Sequence, residues 1–163
     1  MASCVPCKAN GSNSVSFEVL KKVIAYENKP LVDKLRSKLQ LSDKEAFQLF
    51  DDTKRFLYLC AIGEAGSPTR SIDEGWHNFI LYTKDYAAFC QDCFGEFIHH
   101  QPDVTELSDK QKISRAQKTL AAAEKFFGKE TLSVNWELSL SKPMDSSKGG
   151  DCRSECEVGV DCN

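Results

Sequence analysis

Apolar residues recur along most of this chain at the three- and four-residue spacing of a helix, and alternation with period two is confined to the brief run 132–136. The first helical face ends before Asn28 and Pro30, and Pro30 suits the first turn of the helix that follows. That second helix carries Leu31, Leu35 and Leu39 on one face. The pattern therefore predicts an all-α protein.

Three later helix starts share one sequence motif, a serine followed three residues later by Glu or Gln. In such a capping box each side chain satisfies a backbone donor that the start of a helix leaves free. The boxes begin at Ser42, Ser71 and Ser108, and the helices are predicted to end before Gly63, Gly95 and Gly128. The last helix is expected to pack inward through the stripe Ile113, Ala116, Leu120, Ala123 and Phe127.

Length and local composition divide the chain into three parts. We predict a single compact helical domain of about five helices over residues 15–137, since 163 residues suit one domain. Residues 1–14 are small and polar and are expected to form a flexible N-terminal arm. Residues 138–163 contain Lys142-Pro143 and Gly149-Gly150 and are expected to form a flexible tail that contains cysteines.

Composition and charge limit the partners and the compartment. The hydrophobic fraction of 41% is that of a soluble globular protein, and a net charge of -3 argues against nucleic acid or an anionic membrane as the main partner. No apolar run is long enough to span a membrane, and no signal segment opens the chain. We therefore expect a cytoplasmic protein whose partner is an unidentified protein or small molecule.

All three histidines lie between residues 77 and 100, and acidic residues accompany them. Asp73 and Glu74 precede His77 by four and three residues, so the three side chains share one helical face. The pair His99-His100 lies in a connector from which a turn could bring it back over that helix. Two or three imidazoles with one carboxylate suit Fe(II), Zn(II) or Mn(II), and we predict an Fe or Zn site.

Other interpretations of these residues stay open at this stage. Glu74 is also the partner in the predicted Ser71 capping box, and His77 beside Trp76 could be a core histidine bonded to a carboxylate. In that case the protein is a helical interaction module with a structural Trp-His cluster. If the protein is an enzyme instead, its metal would activate water or dioxygen, and the candidate proton donors are Tyr82, Asp85 and Tyr86.

The same segment carries a family resemblance. Residues 72–86 with Phe89-Cys90, then residues 94–102 with the run Phe-Ile-His-His-Gln-Pro, resemble bacterial members of the glycine-rich domain-containing protein-like family. The resemblance implies a compact domain with four characteristic positions, namely Asp73, Trp76, His77 and His99. It also implies a Gly- and Cys-rich tail, of which this chain keeps the cysteines but few glycines.

The cysteines at the two ends offer a second metal-binding chemistry. Cys4, Cys7, Cys152 and Cys156 could together hold Zn(II) or Cu(I) in a tetrahedral thiolate site if the two ends meet. The protein would then be a thiol-based metal-handling or redox protein that acts through its ends. By contrast, Cys90 and Cys93 lie on a predicted helix face and are expected to pack as small apolar groups.

Overall fold

The computed structural model describes residues 2–4, 13–102 and 108–138, and it confirms the all-α prediction. The described residues form six helices: α1 (Asn13–Ala25), α2 (Lys29–Leu39), α3 (Asp43–Ala61), α4 (Arg70–Leu81), α5 (Thr83–Phe94) and α6 (Asp109–Phe127). Two short strands, β1 (Ala2–Cys4) and β2 (His100–Pro102), pair with each other, and 3-10 turns follow α6 at Lys129–Thr131 and Val134–Trp136. Among the described residues, no helix is both long and apolar enough to span a membrane.

Two of the three predicted capping boxes are confirmed. Ser42 accepts from the backbone N–H of Glu45 at the start of α3, and the Glu45 carboxylate accepts from the Ser42 backbone N–H at 2.8 Å. Ser108 and Gln111 make the same reciprocal pair at the start of α6. Each box satisfies two backbone donors that would otherwise lack a partner. Pro30 lies in the first turn of α2, as predicted.

The third predicted box, at Ser71, is wrong. The residue that caps α4 is Thr69, whose hydroxyl oxygen accepts from the Ile72 backbone N–H. The same hydroxyl donates to the backbone carbonyl of Asn135 at 2.5 Å. This contact with a distant segment fixes Thr69 as the cap, so Ser71 lies inside the first turn of the helix. Glu74 therefore has no capping role.

The predicted helix from Ser71 to Phe94 is two helices, which accounts for six helices rather than about five. Tyr82, with φ -85° and ψ 62°, ends α4 and precedes α5. Its hydroxyl donates to the Pro30 carbonyl at the start of α2, at 3.3 Å. Three residues further on, Asp85 accepts from the Asn28 side-chain amide at 3.0 Å. Contacts with Pro30 of α2 and with Asn28 just before α2 therefore hold the break and the first turn of α5.

Helix α3 lies at the centre of the fold and packs against α1, α2, α4 and α6. Four aromatic residues of α4 and α5 are buried in the core, namely Trp76, Phe79, Tyr86 and Phe89. Cys90 and Cys93 are buried with them, as predicted for small apolar groups. Fully burying one large apolar side chain contributes about 1.5–3 kcal/mol, so this aromatic layer supplies much of the stability of the domain.

The predicted inward stripe of α6 is confirmed except at its first member. Ala116 and Ala123 are buried, and Leu120 and Phe127 are partly buried against the core. Ile113 is exposed, so that part of the prediction is wrong. The chain segment before α4 reaches α6 at Arg115, whose carbonyl accepts from the Ser67 backbone N–H. Ile113 lies on the N-terminal side of that contact, where the helix extends past the core.

A buried carboxylate on α3 holds the segment that follows α6. Asp52 is fully buried, and its carboxylate accepts from the Ser133 hydroxyl at 2.5 Å, the Asn135 amide at 2.9 Å and the Trp136 indole N–H at 2.8 Å. Gln48 donates a fourth hydrogen bond at 3.2 Å. Buried charge is tolerated when such donors replace water, so Asp52 fixes residues 133–136 against α3.

The pairing of β1 with β2 joins the start of the described chain to the connector after α5. The strands are antiparallel, with Cys4 opposite His100 and Ala2 opposite Pro102. The sequence pattern did not predict either strand. Residues 2–4 lie within the predicted N-terminal arm, whereas nearly all of the predicted tail, residues 139–163, lies outside the described residues. The predicted domain boundaries stay predictions.

Candidate metal centre

Three polar side chains converge at the start of α4. His100 Nε2 lies 3.1 Å from Asp73 Oδ1, and His77 Nδ1 lies 3.7 Å from Asp73 Oδ2. One ligand atom from each of the three residues can be chosen so that all lie within 4.8 Å of one another. Within the part of the chain that the structure describes, this is the one group of three or more His, Cys, Asp or Glu side chains with this spacing.

Two of the three residues are placed by α4 itself. Asp73 and His77 are one helical turn apart, so their side chains lie on the same face, as the sequence spacing predicted. Asp73 lies in the first turn, where the positive end of the helix dipole stabilises a carboxylate. Trp76, three residues after Asp73, is fully buried, whereas the His77 side chain is half exposed, so the cluster lies at the edge of the core.

The third residue, His100, is placed by aromatic packing and by a hydrogen-bond chain. Its ring lies 4.3 Å from the Trp76 ring and 4.3 Å from the His77 ring, between centroids. The Trp76 indole N–H donates to the Tyr86 hydroxyl at 2.9 Å, and that hydroxyl donates to the Ile98 carbonyl at 2.6 Å. The backbone two residues before His100 is therefore tied to the buried aromatic layer.

The cluster is open to solvent on one side only. The His100 side chain is 13% exposed and that of Asp73 is 21% exposed, whereas the His77 side chain is 50% exposed. Two imidazole nitrogens and a carboxylate form a mixed nitrogen and oxygen ligand set, which suits Fe(II), Zn(II) or other first-row divalent ions. The arrangement can hold a metal ion at a site that solvent reaches past His77.

The structure does not bring His99 or Glu74 into this cluster. His99 is exposed and lies beside Phe97, with 4.8 Å between ring centroids. The Glu74 carboxylate accepts from Lys38 Nζ at 2.9 Å and from the Asn78 amide at 3.1 Å. The Lys38 ammonium, followed by the Asn78 amide, lowers the pKa of Glu74. Glu74 is therefore held as the partner of a lysine on α2.

The three candidate proton donors are all engaged in contacts that stabilise the fold. Tyr86 is buried, its hydroxyl is bonded on both sides, and burial raises its pKa far above the usual range. Tyr82 donates to the Pro30 carbonyl, and Asp85 accepts from Asn28. Tyr86 thus serves to position the strand that carries His100, a role that the sequence did not reveal.

Burial makes the Cys90 and Cys93 thiols poor nucleophiles and poor metal ligands. Cys60, Cys90 and Cys93 are buried, and burial raises the pKa of the Cys90 and Cys93 thiols. The thiol form is neither a strong nucleophile nor a metal ligand. Of the predicted thiol site, Cys7, Cys152 and Cys156 lie outside the described residues, and Cys4 is described only in its backbone. That second site stays a prediction.

The fold and the cluster together define a small helical protein with a candidate histidine and aspartate metal centre. The chain matches the family model described as UCP032817-like over residues 20–130, about two thirds of its length, and it belongs to that family. The matched region includes Asp73, His77 and His100. No curated protein and no solved structure matches the chain. The resemblance to the glycine-rich domain-containing protein-like family is wrong, because the matching model is that of a different family.

Proposed function

We propose that this protein binds a divalent metal ion, Fe(II) or Zn(II), through Asp73, His77 and His100. The observation that carries the proposal is the convergence of two imidazoles and one carboxylate from α4 and β2, with ligand atoms within 4.8 Å of one another. Two of these side chains are more than three-quarters buried. Their ordering by the fold reduces the entropy that metal binding would otherwise cost.

The distances between the ligand atoms agree with this proposal. Bonds of about 2.0–2.1 Å in a tetrahedral Zn site place ligand atoms roughly 3.3 Å apart. The two contacts of Asp73 with the imidazoles, at 3.1 and 3.7 Å, lie on either side of that value. The two contacts use different oxygens of Asp73, and the ligand atoms lie within 4.8 Å of one another, so the side chains would have to close in on the ion to form three bonds. Two histidines and one carboxylate are also the ligands of non-haem Fe(II) sites with open positions.

A second candidate function is a helical interaction module in which the same residues are structural. The packing of His100 on Trp76 favours it, because Trp76 is fully buried and bonded to Tyr86. The 3.1 Å contact between His100 and Asp73 is then a hydrogen bond that holds β2 on α4. The two functions differ in one measurable property, the binding of a metal.

Metal content and titration of untagged, reduced protein test the first proposal. Wild type is compared with His77→Ala, His100→Ala and His99→Ala by elemental analysis, then by anaerobic titration with Zn(II) and Fe(II). His99→Ala is the matched control, because His99 is adjacent to His100 and outside the cluster. Loss of supporting residues near a metal weakens binding about 10–100-fold, and loss of a ligand should cost at least as much.

We expect about one ion for each wild-type chain and for each His99→Ala chain, with affinity reduced at least about 100-fold in the other two variants. Circular dichroism and denaturant unfolding establish that all four proteins are folded. Wild type that binds no metal, or folded His77→Ala and His100→Ala that bind as wild type does, would overturn the proposal and leave the interaction module.

A further inference from the structure

A groove of about 580 Å³ lies between α2, α3, the first turn of α4 and the turn Val134–Trp136. Its volume is within the range of about 300–1,000 Å³ that is typical of small-molecule sites. Asp73, His77 and His100 are not among the residues that line it. The groove is therefore separate from the candidate metal centre, and what it binds is a separate question.

One part of the groove is apolar. The aliphatic side chains that line it come from the end of α2 and the residues after it, from α3 and from the turn after α6, namely Leu39, Leu41, Leu49 and Val134. Val134 is largely exposed, and its neighbours Ser133 and Asn135 are held by the buried Asp52. An apolar group in the groove would displace water from these side chains, which favours binding.

The two acidic side chains of the groove already have partners. Glu45 accepts from the backbone N–H and the hydroxyl of Ser42, at 2.8 and 2.6 Å. Glu74 forms an ion pair with Lys38 at 2.9 Å. A cation that entered the groove would have to compete with these contacts, so the groove does not favour a positively charged ligand.

The third charged side chain of the groove is Arg70, and its situation differs. Within the described part of the chain, its guanidinium has neither an ion-pair nor a hydrogen-bond partner. Arg70 and Ser71 begin α4, where backbone N–H groups have no helical acceptor and the positive end of the helix dipole favours an anion. The charge that remains to be paired in the groove is therefore positive.

We propose that this groove binds a small carboxylic acid with an apolar chain. The carboxylate would pair with the Arg70 guanidinium, whose planar fork can donate two parallel hydrogen bonds to it. The chain would lie along the aliphatic side chains between α2 and Val134. Such a ligand matches both the apolar surface and the unpaired charge. The proposal does not depend on the metal centre, because none of the three metal-centre residues lines the groove.

Titration of the full-length, untagged, reduced protein with hexanoate, octanoate and decanoate tests this inference. Metal is first removed with a chelator, so that the carboxylate cannot bind at the metal centre instead. Binding is followed by two-dimensional NMR of the backbone amides, and we expect the largest shifts at Arg70, Ser71 and Val134. Each added methylene should tighten binding about 2–4-fold, because it buries further apolar surface.

Two exposed side chains of the groove are changed, each with a matched control outside it. Arg70→Gln is paired with Lys84→Gln, which removes an exposed cation from α5. Val134→Ser is paired with Leu81→Ser, since the two aliphatic residues are 75% and 73% exposed. We expect decanoate affinity to fall at least about 5-fold in Arg70→Gln and about 2–4-fold in Val134→Ser, with both controls close to wild type.

The other outcomes overturn the inference. Wild type that binds none of the three acids has no site of this class. Decylamine that binds as tightly as decanoate would show that the charge of Arg70 does not select the ligand. Equal weakening in Arg70→Gln and Lys84→Gln would show general attraction of an anion rather than a site. Denaturant unfolding establishes that all variants are folded, which their exposed positions favour.

Discussion

Two aspartates of this protein, Asp52 and Asp73, each gather side chains from distant parts of the chain, yet their surroundings differ in kind. Asp52 is fully buried and its four hydrogen-bond partners are all donors, namely a hydroxyl, two amides and an indole N–H, with the Arg55 guanidinium 3.9 Å away. Asp73 is partly exposed and its partners are two imidazoles, each of which has a nitrogen that can also accept.

The difference shows how the same residue type can stabilise the fold at one position and bind a ligand at another. The lone pairs of Asp52 are occupied by donors, so an added cation would have to displace them. The lone pairs of Asp73 face nitrogen atoms that become ligands once they lose or shift a proton. A carboxylate held by four protein donors stabilises the fold, whereas a carboxylate between imidazoles that solvent reaches from one side can bind metal.

The comparison is tested most strongly by Asp52→Ala. The change leaves the indole N–H of Trp136 and the amide of Asn135 without their acceptor, and it detaches residues 133–136 from α3. We expect the free energy of unfolding to fall by about 3–5 kcal/mol, measured by urea denaturation. Asp109→Ala removes an exposed first-turn aspartate and should cost less than about 1 kcal/mol. Similar losses for the two variants would contradict the role of Asp52.

The opposite behaviour is expected of Asp73→Asn. Without metal its free energy of unfolding should lie within about 1 kcal/mol of wild type, because Asp73 is partly exposed and asparagine keeps an acceptor. At a Zn(II) concentration of about 100 times its dissociation constant, wild type should gain about 2.7 kcal/mol and the variant almost nothing. An equal gain for both proteins would exclude Asp73 as a ligand.

Tyr86→Phe separates positioning from ligation. The variant keeps the buried ring but removes the hydroxyl that joins the Trp76 indole to the Ile98 carbonyl. We expect a loss of about 1–3 kcal/mol in the free energy of unfolding. Metal affinity should fall about 10-fold or more through displacement of His100, while the stoichiometry stays at one ion. Unchanged affinity in a destabilised variant would show that the hydroxyl does not position His100.

The smallest effect is expected at Glu74. Glu74→Gln removes an exposed ion pair with Lys38, so at neutral pH it should cost about 0.2–1 kcal/mol and leave metal binding unchanged. Because the folded state lowers the pKa of Glu74, its contribution is present above the ordinary glutamate pKa and disappears as the pH falls through the lowered value. Unfolding of both proteins measured from pH 7 down to acid should therefore converge. A constant difference would contradict this account.

The sequence predicts the helices well where local chemistry decides them. Ser42 and Ser108 begin helices because their capping partners are three residues away. The prediction fails where contacts with residues distant in the sequence determine the helix boundaries. Thr69 replaces Ser71 as a cap because the carbonyl of Asn135 accepts from it, and no glycine or proline marks the break at Tyr82. Those contacts cannot be recognised from local spacing.

In the candidate site, too, local spacing predicts some features and distant contacts determine the others. The pairing of Asp73 with His77 follows from helical spacing, whereas the choice between the adjacent histidines does not. His100, the first residue of β2, joins the cluster, whereas His99 precedes the strand and is exposed. That strand exists through pairing with residues 2–4, almost a hundred residues away in the sequence. The sequence therefore locates the region of the site but not its full membership.

The bonds of Asp52 also have a consequence for synthesis of the chain. The side chains of Ser133, Asn135 and Trp136 follow Asp52 by 81–84 residues. At roughly 5–20 residues per second, a ribosome needs roughly 4–17 s to make that stretch. During this interval the carboxylate must remain hydrated, because residues 133–136 are not yet available to cover this part of α3. The region around Asp52 should therefore stay sensitive to proteases and chaperones until Trp136 has left the ribosome.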